Sequence, residues 1–309
     1  MSNSAQKVFI CVATYRRPEH LYLLLDSLRG LAMTETSADI EVLIVDNDVN
    51  ESARYVCEAA NLPWPLRYVV EPCRGIAQAR NTAVRHAPDA DWVAFLDDDE
   101  MVEPHWLEHL LRTQLMFQAD IVSGPVVPQF RPSVPEWIIQ SGLHDRERNL
   151  TGSKPKEPGM GNVFISAEVF RRIGSFDERF GLTGGEDTQL FLRAGQAGFK
   201  AVWCDEALVH ETIGPSRASL GYLLRRKYWQ ASALARIEVT RDPGALTYAT
   251  RAAKAVVRIT QGAATLPLAS LRGLPATGRA LMRICSGAGM LGGLMGITFE
   301  PYRNPESAP

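Results

Sequence analysis

Residues 93–100 constrain the fold more than any other stretch, because four apolar residues (Val-Ala-Phe-Leu) run directly into four carboxylates (Asp-Asp-Asp-Glu). An apolar run of this kind predicts a buried strand of a parallel sheet. Carboxylates this close repel one another and resist losing their hydration, so a cation is expected beside them. Mg²⁺ or Mn²⁺ suits carboxylate and phosphate oxygens together. The alternative is a solvated acidic turn at the end of the strand.

The charge of the chain is unevenly distributed. Its 309 residues carry a net charge of −2, but residues 217–309 hold 13 Lys/Arg against 4 Asp/Glu. Residues 1–216 hold 20 basic against 31 acidic residues. We therefore predict an acidic domain over 1–216 and a basic, apolar helical tail over 217–309 that faces an anionic surface.

The cysteines and the N-terminus give an indication of the cellular compartment. Five cysteines are scattered along the chain without a CxxC pair, which argues against a disulfide framework or a zinc site and favours a reducing environment. No apolar signal region precedes the first strand-like run, so we expect a cytoplasmic protein.

Strand-like and helix-like segments alternate over the first hundred residues, which is typical of a doubly wound parallel sheet. Ligands of such sheets bind beyond the carboxyl ends of the strands. Three predicted strands end in polar groups, namely Thr14 and Arg16, Asp46 and Asp48, and Asp97, Asp98 and Asp99. The chain has neither GxGxxG after its first strand nor GxxxxGK[ST]. A phosphorylated ligand would therefore depend on a metal and on arginines.

The middle of the chain adds a loop and a second acidic site. Residues 141–160 are polar and predict a mobile loop that closes over a ligand, and 161–166 predict a returning strand. Glu186 and Asp187 open a predicted helix, where the helix dipole alone would favour them. The two glycines before them also allow close approach of a ligand to the backbone. His210 follows a strand-like run and is either structural or a ligand.

Six segments together resemble family 2 glycosyltransferases with the GT-A fold. They are Val-Ala-Thr-Tyr-Arg-Arg-Pro at 12–18, Val-Asp-Asn-Asp at 45–48, Arg-Gly-Ile-Ala-Gln-Ala-Arg-Asn at 74–81, Phe-Leu-Asp-Asp-Asp-Glu at 95–100, Gly-Asn-Val-Phe-Ile-Ser at 161–166 and Gly-Gly-Glu-Asp at 184–187. The segments occur in the family's order, and the resemblance covers roughly residues 7–215. A narrower similarity is to bacterial exopolysaccharide enzymes of the succinoglycan type.

The resemblance implies an α/β GT-A fold, with a Rossmann-like, mainly parallel sheet flanked by helices. It also implies roles for named residues. Contacts with the nucleotide of a sugar donor would come from Thr14, Arg16, Asp46 or Asp48 (to the base, most often uracil), Arg80 and Asn81. The DxD motif would comprise Asp97 and Asp99, one near the ribose and one on the metal, with Asp98 between them. Asp187 would be the catalytic base with Glu186 beside it, and His210 would bind metal or diphosphate.

The chemistry of the residues agrees with this assignment. A carboxylate-bound divalent ion stabilises the charge that develops on a leaving diphosphate. A separate carboxylate can take the proton of the attacking hydroxyl. A single in-line displacement inverts the anomeric centre. Two alternatives stay open, a nucleotidyltransferase and a non-catalytic sugar-nucleotide-binding or scaffold protein.

The tail predicts membrane association. The helical pattern over 220–237 carries Arg225, Arg226 and Lys227 beside Tyr228 and Trp229. The uncharged run 284–299 contains five glycines and is short for a spanning helix. A helix pair in the interface on the inner face of the cell membrane fits better. The resemblance implies a lipid-linked saccharide acceptor at that membrane. The alternatives are a soluble appendage on the catalytic domain or a dimer contact. No recognition motif points to nucleic acid.

Overall fold

The computed structural model describes residues 5–155 and 159–303. Positions 1–4, part of the predicted signal-free N-terminus, and 156–158, part of the predicted loop, lie outside these residues. The described chain forms two compact units. The first takes in the described residues of Met1–Val127, Arg146–Gly181 and Glu186–Thr212, and the second those of Pro128–Asp145, Leu182–Gly185 and Ile213–Pro309. Segments of the two units alternate along the chain. The single domain boundary after residue 216 stays a prediction.

Strands and helices alternate over the first hundred residues, as predicted. The strands in the described residues are β1 (Gln6–Thr14), β2 (Ala38–Asp46), β3 (Leu66–Val70), β4 (Trp92–Asp97), β5 (Glu100–Val102), β6 (Ile121–Ser123), β7 (Val126–Phe130), β8 (Val163–Ser166), β9 (Ala201–Trp203) and β10 (Val209–Ile213). The α-helices in the same residues are α1 (Pro18–Arg29), α2 (Arg54–Ala59), α3 (Ile76–Arg85), α4 (Trp106–Phe117), α5 (Glu136–Ser141), α6 (Ala167–Ile173), α7 (Glu186–Gln196), α8 (Leu220–Arg241), α9 (Ala245–Leu271) and α10 (Leu274–Leu294).

The first unit is built on a sheet of seven of the described strands, in the order β3-β2-β1-β4-β8-β6-β9. The pairs β1–β2, β2–β3, β1–β4 and β6–β9 are parallel. Strand β8 is antiparallel to β4 and β6, which makes it the returning strand that the sequence predicts. The predicted mainly parallel α/β sheet is therefore confirmed.

Strand β1 shows why this sheet is buried on both faces. Its alternate residues Val8, Ile10 and Val12 pack into the hydrophobic cluster that contains the buried leucines of α1. Phe9 and Cys11 point to the other face and pack against α3, β8 and α6. Helices cover both faces, so the strand is apolar throughout instead of alternating with polar residues.

Three features differ from the sequence interpretation. Helix α2 begins at Arg54 instead of near residue 51, because the preceding turn bonds to Asp46 and Glu51 has a φ of +56°. Strands β5 and β7 and helix α5 were not predicted, since each is short and β7 and α5 lie in or beside a proline-rich passage. His210 lies within β10, which continues to Ile213, and not after the end of a strand.

The helical part of the second unit consists of α8, α9 and α10, with α10 packed on the other two. The glycines of α10 allow this packing. A Cβ on Gly287 would lie 2.6 Å from the carbonyl oxygen of Ala255 in α9, and one on Gly293 would collide with the carbonyl of Ser232 in α8. Among the described helices, we find none that combines the length and apolarity needed to cross a bilayer.

Candidate active site

The four carboxylates after β4 differ in exposure. Asp98 and Asp99 are each 5% exposed and Glu100 is 1% exposed. The side chain of Asp97, by contrast, is 45% exposed. Three buried carboxylates are inconsistent with a solvated acidic turn, and Asp97 is the carboxylate of this group that is open to a ligand.

Arg17 offsets the charge of the two buried aspartates. Its Nη1 lies 3.3 Å from Asp98 Oδ1 and 3.5 Å from Asp99 Oδ2. The hydroxyl of Thr14 donates to Asp98 Oδ2 at 2.9 Å. Burial raises the pKa of Asp98 to about 6, although Arg17 opposes the shift. Arg17 belongs to the motif at 12–18, but the sequence interpretation gave it no role.

Arg146 lies beside the other end of the cluster. Its Nη2 is 2.6 Å from Glu211 Oε2. Burial opposes the charge of the guanidinium, but the negative charges of Glu211, Glu100 and Asp97 outweigh this effect and raise the pKa of Arg146. Glu100 accepts the Asp97 N–H at 2.9 Å through Oε2. Its Oε1 is buried and has no hydrogen-bond partner in the described structure. Burial, with the charge of Asp97, holds the pKa of Glu100 well above its ordinary value. Sequence reasoning missed Arg146 because it lies in a loop without a recognisable pattern.

A third arginine joins the acidic cluster to the start of α7. Arg80 is buried, its Nη2 lies 3.2 Å from Asp97 Oδ1, and its Nη1 donates to Glu186 Oε1. The resemblance implied that Arg80 contacts the nucleotide or its phosphates, and here it bridges two carboxylates of the protein. The cation expected beside the acidic cluster is thus provided, at least in part, by arginines of the chain itself.

The Gly161-Asn162 pair shapes the space beside the cluster. A Cβ on Gly161 would collide with Glu100 Oε1 and would lie 3.3 Å from Asp97 Oδ2. Asn162 is fully buried, with φ of +60°, and its amide donates to the carbonyls of Pro125 and Ala207. The glycine leaves room at the carboxylates, while the asparagine fixes the backbone that provides this room.

At the end of β2, the two aspartates have different surroundings. Asp46 accepts from the Asp48 N–H at 3.0 Å, the Ala53 N–H at 2.9 Å and the Tyr68 hydroxyl at 2.8 Å. Asp48 pairs with Arg16 Nε at 3.0 Å. Burial opposes ionisation of Asp48, but Arg16 and a backbone N–H outweigh it and lower its pKa. Both carboxylate oxygens of Asp46 therefore accept hydrogen bonds from the protein itself. Asp48 is the better placed of the two for a ligand.

Helix α3 and the residues before it contribute two further contacts at this side of the sheet. Asn81 is buried and exchanges two hydrogen bonds with the backbone of Phe176, which fixes the loop before α7. Arg74, just before α3, lies 3.3 Å from the ring centroid of Tyr15 and donates to Asn47 Oδ1 at 3.0 Å. Arg74 and Tyr15 follow the carboxyl ends of β3 and β1, and sequence reasoning missed both as site residues.

Glu186 and Asp187 begin α7 and have unlike environments. Glu186 is 2% exposed, and burial raises its pKa to about 7, with Arg80 opposing the shift. Asp187 is half-buried, and its Oδ1 accepts the Thr188 N–H at 2.6 Å. Asp187 is thus the more exposed carboxylate of the pair, and Glu186 is buried beside it.

His210 lies apart from the contacts that hold the acidic cluster. Its Nε2 is 2.7 Å from Glu103 Oε1, and it stands opposite Met101 in the β5–β10 pair. The next residue, Glu211, pairs with Arg146. Because successive side chains of a strand point to opposite faces, His210 points away from the face on which Glu211 lies.

The donor set fits a divalent ion that is shared with a substrate. In the described part of the chain, no three His, Cys, Asp or Glu side chains are grouped so that they could enclose a metal. Mg²⁺ in phosphate-binding sites is usually held by one or two carboxylates plus the phosphates of the substrate. The half-exposed carboxylate of Asp97, at the edge of a cluster with excess negative charge, matches this arrangement.

Comparison with known proteins identifies the family. Residues 9–174 match the family model described as Glycosyl transferase family 2, and residues 92–282 match Glycosyl transferase family group 2. The succinoglycan biosynthesis protein ExoM of Rhizobium meliloti is 31% identical over 305 residues, which cover 96% of each chain. A glucosyl-dolichyl phosphate glucuronosyltransferase of Haloferax volcanii is 26% identical and covers 72% of this chain and 74% of its own.

A solved structure shows the same fold. The mannosyltransferase PcManGT of Pyrobaculum calidifontis, in complex with GDP-Man and Mn²⁺, aligns with a TM-score of 0.63 at 20% identity. The alignment covers 95% of this chain and 88% of the mannosyltransferase. Both family models, the ExoM similarity and the shared fold agree with the resemblance carried by the six sequence segments. This chain belongs to glycosyl transferase family 2.

Proposed function

We propose that this glycosyltransferase moves a sugar from a nucleoside diphosphate donor, with UDP as the first candidate, to a hydroxyl of a lipid-linked saccharide, with inversion. One observation carries the proposal. The open carboxylate of Asp97 lies at the carboxyl edge of a parallel sheet and is joined through Arg80 to Glu186, next to the more exposed carboxylate of Asp187. The site therefore has separate groups for the leaving diphosphate and for the acceptor proton.

The donor nucleotide would bind at the ends of β1 and β2. Asp48 can accept from a nucleobase N–H, while Arg16 and the Arg74–Tyr15 pair present positive charge and an aromatic face beside it. Asp46 holds the turn that presents Asp48. The choice of UDP rests on the family resemblance at 45–48, and the complex of PcManGT with GDP-Man makes GDP-sugars the first alternative to test.

Divalent metal dependence is part of the proposal. Asp97, with Asp99 as the second carboxylate of the DxD motif, would hold a Mn²⁺ or Mg²⁺ ion, which would supply Lewis-acid stabilisation of the leaving diphosphate. Arg17 and Arg80 offset the negative charge of the neighbouring carboxylates and hold their side chains in place. The role of His210 as a metal or diphosphate ligand stays a prediction, because its contact is with Glu103.

Asp187 would act as the base. Its Oδ1 is held by the Thr188 N–H, so the side chain has a defined orientation at the start of α7. Taking the proton of the acceptor hydroxyl as that oxygen attacks the anomeric carbon completes a single displacement, which inverts the configuration. Glu186 keeps Arg80 beside Asp97 and does not face the acceptor.

A lipid-linked acceptor would bring the protein to a membrane. The name of ExoM assigns that relative to succinoglycan biosynthesis, and the name of the Haloferax volcanii relative indicates action on a glucosyl-dolichyl phosphate. Helix α9 exposes large apolar side chains together with basic ones. Leu246 is 77% exposed, Val257 50% and Leu271 84%, with exposed Lys254 between them and exposed Arg272 directly after the helix. An apolar face interleaved with positive charge fits an anionic lipid surface.

The proposed function is tested with purified protein and a panel of UDP-, GDP- and dTDP-sugars in the presence of Mn²⁺. We expect one donor to raise the melting temperature and to be consumed slowly by hydrolysis or transfer, with loss of turnover in EDTA. Asp187→Asn should abolish transfer while donor binding survives. Asp26→Asn, an exposed carboxylate on α1, is the matched control. Donor binding without turnover would favour the scaffold alternative, and normal turnover by Asp187→Asn would refute the base assignment.

A further inference from the structure

The turn Leu182–Gly185, directly before Glu186, belongs to the helical unit of the structure. Both of its glycines have positive φ, +71° at Gly184 and +97° at Gly185, a region that other residues rarely adopt. A short segment with two such glycines loses much conformational freedom when it is ordered. Something must therefore hold it in the observed conformation.

Aromatic residues of the tail hold this turn. The indole N–H of Trp229, in α8, donates to the carbonyl oxygen of Thr183. The backbone N–H of Tyr302 donates to the carbonyl of Leu182 at 3.3 Å. The ring of Tyr302 packs edge-on against that of Trp229, with centroids 6.0 Å apart and an interplanar angle of 70°. A half-buried indole normally needs a partner for its N–H, and the turn provides it.

The glycines also leave no room for side chains against α8. A Cβ on Gly184 would lie 2.6 Å from Cζ2 of Trp229, and one on Gly185 would lie 2.8 Å from Cδ1 of Ile237. The sequence interpretation assigned this glycine pair to close approach of a ligand. In the structure, the groups that approach it closely are side chains of α8.

We infer that Trp229 is a positioning residue for the catalytic base, so that the tail takes part in catalysis as well as in any membrane contact. The inference rests on the proposed function of Asp187. Trp229 fixes the carbonyl of Thr183 and packs on Gly184, and the chain then passes through Gly185 into Glu186 and Asp187. Loss of these contacts frees the turn from which α7 begins. A base misplaced by about 1 Å can lower a rate about 100-fold while donor binding is unaffected.

The test compares Trp229→Ala, Trp229→Phe and Tyr248→Ala in the full-length protein, without lipid or detergent. Tyr248, an exposed aromatic residue of α9, is the control for truncating a ring of the tail. Trp229→Phe keeps a ring beside Gly184 but cannot donate to Thr183, and it guards against a folding failure of the alanine variant. The readouts are kcat and KM for the donor, and hydrogen–deuterium exchange of the peptides that cover 182–188.

We expect kcat to fall about 10- to 100-fold in Trp229→Ala and less in Trp229→Phe, with KM for the donor within about twofold of wild type. Exchange over 182–188 should rise in the same order, and Tyr248→Ala should match wild type in both readouts. The inference is overturned if exchange does not change, if exchange rises while kcat does not fall, or if the loss appears in KM. An inactive wild type would overturn the proposed function itself, whereas an active wild type with unaffected Trp229 variants would overturn the positioning role alone.

Discussion

Asp97 and Glu186 share one guanidinium, that of Arg80. Asp97 ends the strand that carries the acidic cluster, and Glu186 opens the helix that carries Asp187. Arg80 is 7% exposed and lies between them, with Nη2 3.2 Å from Asp97 Oδ1 and Nη1 bonded to Glu186 Oε1. The donor half and the acceptor half of the proposed site are thus coupled through one buried side chain.

We expect Arg80→Ala to lower the free energy of unfolding by about 3 kcal/mol, because it leaves Glu186 buried without a cation. Arg80→Lys should recover only part of this loss, since an ammonium cannot reproduce the forked contact with two carboxylates. Chemical denaturation at pH 8 measures both. Arg29→Ala, which removes an exposed pair with Asp26, is the control and should change stability by less than about 0.5 kcal/mol. Equal losses in the Arg80 and Arg29 variants would refute the structural role.

Glu186 makes stability depend on pH. Burial raises its pKa to about 7, above the ordinary value of 4.5. Between these values the native state binds more protons than the unfolded state, so the contribution of this group to stability is lost as the pH rises. Glu186→Gln should therefore be more stable than wild type at pH 8, by on the order of 2 kcal/mol, and similar to it at pH 4.5. Thermal unfolding from pH 4.5 to 8 measures the difference, and parallel curves for the two proteins would contradict the assignment.

The sequence predicted the sheet well, and it predicted that polar strand ends lie at one edge of it, for a physical reason. Strand and helix periodicities are local, and the carboxyl ends of parallel strands meet at one edge, so Thr14, Asp48 and Asp97 fall together without knowledge of side-chain contacts. The partners of these residues were not predictable in the same way. Arg17 and Arg146 reach the cluster from a helix start and from a loop, and no local pattern marks an arginine as a partner of a distant carboxylate.

The same limit applies to Arg80 and to the glycine pair before Glu186. The motif at 74–81 identified Arg80, but its buried contact with Glu186 depends on tertiary packing. Gly184 and Gly185 were identified as positions of close approach, but sequence periodicity does not show that Trp229 of α8 is what approaches. Charge composition likewise indicated a basic tail without indicating that its glycines pack helix against helix.

The two aspartates at the end of β2 should respond differently to the same substitution. In Asp46→Asn, an NH2 group replaces one of the two oxygens. The side chain then cannot accept both from the Asp48 N–H at one position and from the Ala53 N–H and the Tyr68 hydroxyl at the other, so we expect a loss of stability of about 1–3 kcal/mol. Asp48→Asn removes an ion pair with the half-exposed side chain of Arg16, so we expect a smaller loss of stability, below about 1 kcal/mol, together with a higher KM for the donor. Denaturation and donor titration of both variants separate the roles. Weakened donor binding by a fully stable Asp46→Asn would reverse the assignment.

Gly161→Ala tests the space beside the carboxylates. The added methyl group would meet Glu100 Oε1, so we expect a loss of about 1–3 kcal/mol in stability and weaker Mn²⁺-dependent donor binding. Gly159→Ala is the matched control, because no heavy atom of the described residues, its chain neighbours aside, lies within 4 Å of a Cβ at this position. Calorimetric titration of donor and Mn²⁺ into each variant gives the comparison. Wild-type affinity and stability in Gly161→Ala would show that Glu100 can move away at no cost.

The exposed face of α9 predicts binding to anionic lipid. We expect the protein to sediment with vesicles of phosphatidylcholine and phosphatidylglycerol but not with phosphatidylcholine alone, and to be released as salt rises from 50 to 500 mM. Lys254→Glu with Arg272→Glu should weaken binding at least about 30-fold, since each basic residue contributes about 1 kcal/mol. Val257→Asp tests the apolar part of the same face.

Leu115→Asp, an exposed leucine on α4, is the control for the apolar substitution and should bind vesicles like wild type. Transfer to a soluble acceptor should be unchanged in every α9 variant, because none of the substituted α9 residues has a role in the proposed chemistry. Unchanged vesicle binding by the double charge variant would exclude α9 as the lipid-binding surface. The wild type could also fail to bind anionic vesicles and elute as a dimer in size-exclusion chromatography. If Val257→Asp then dissociates this dimer, the exposed face of α9 is a contact between copies of the chain.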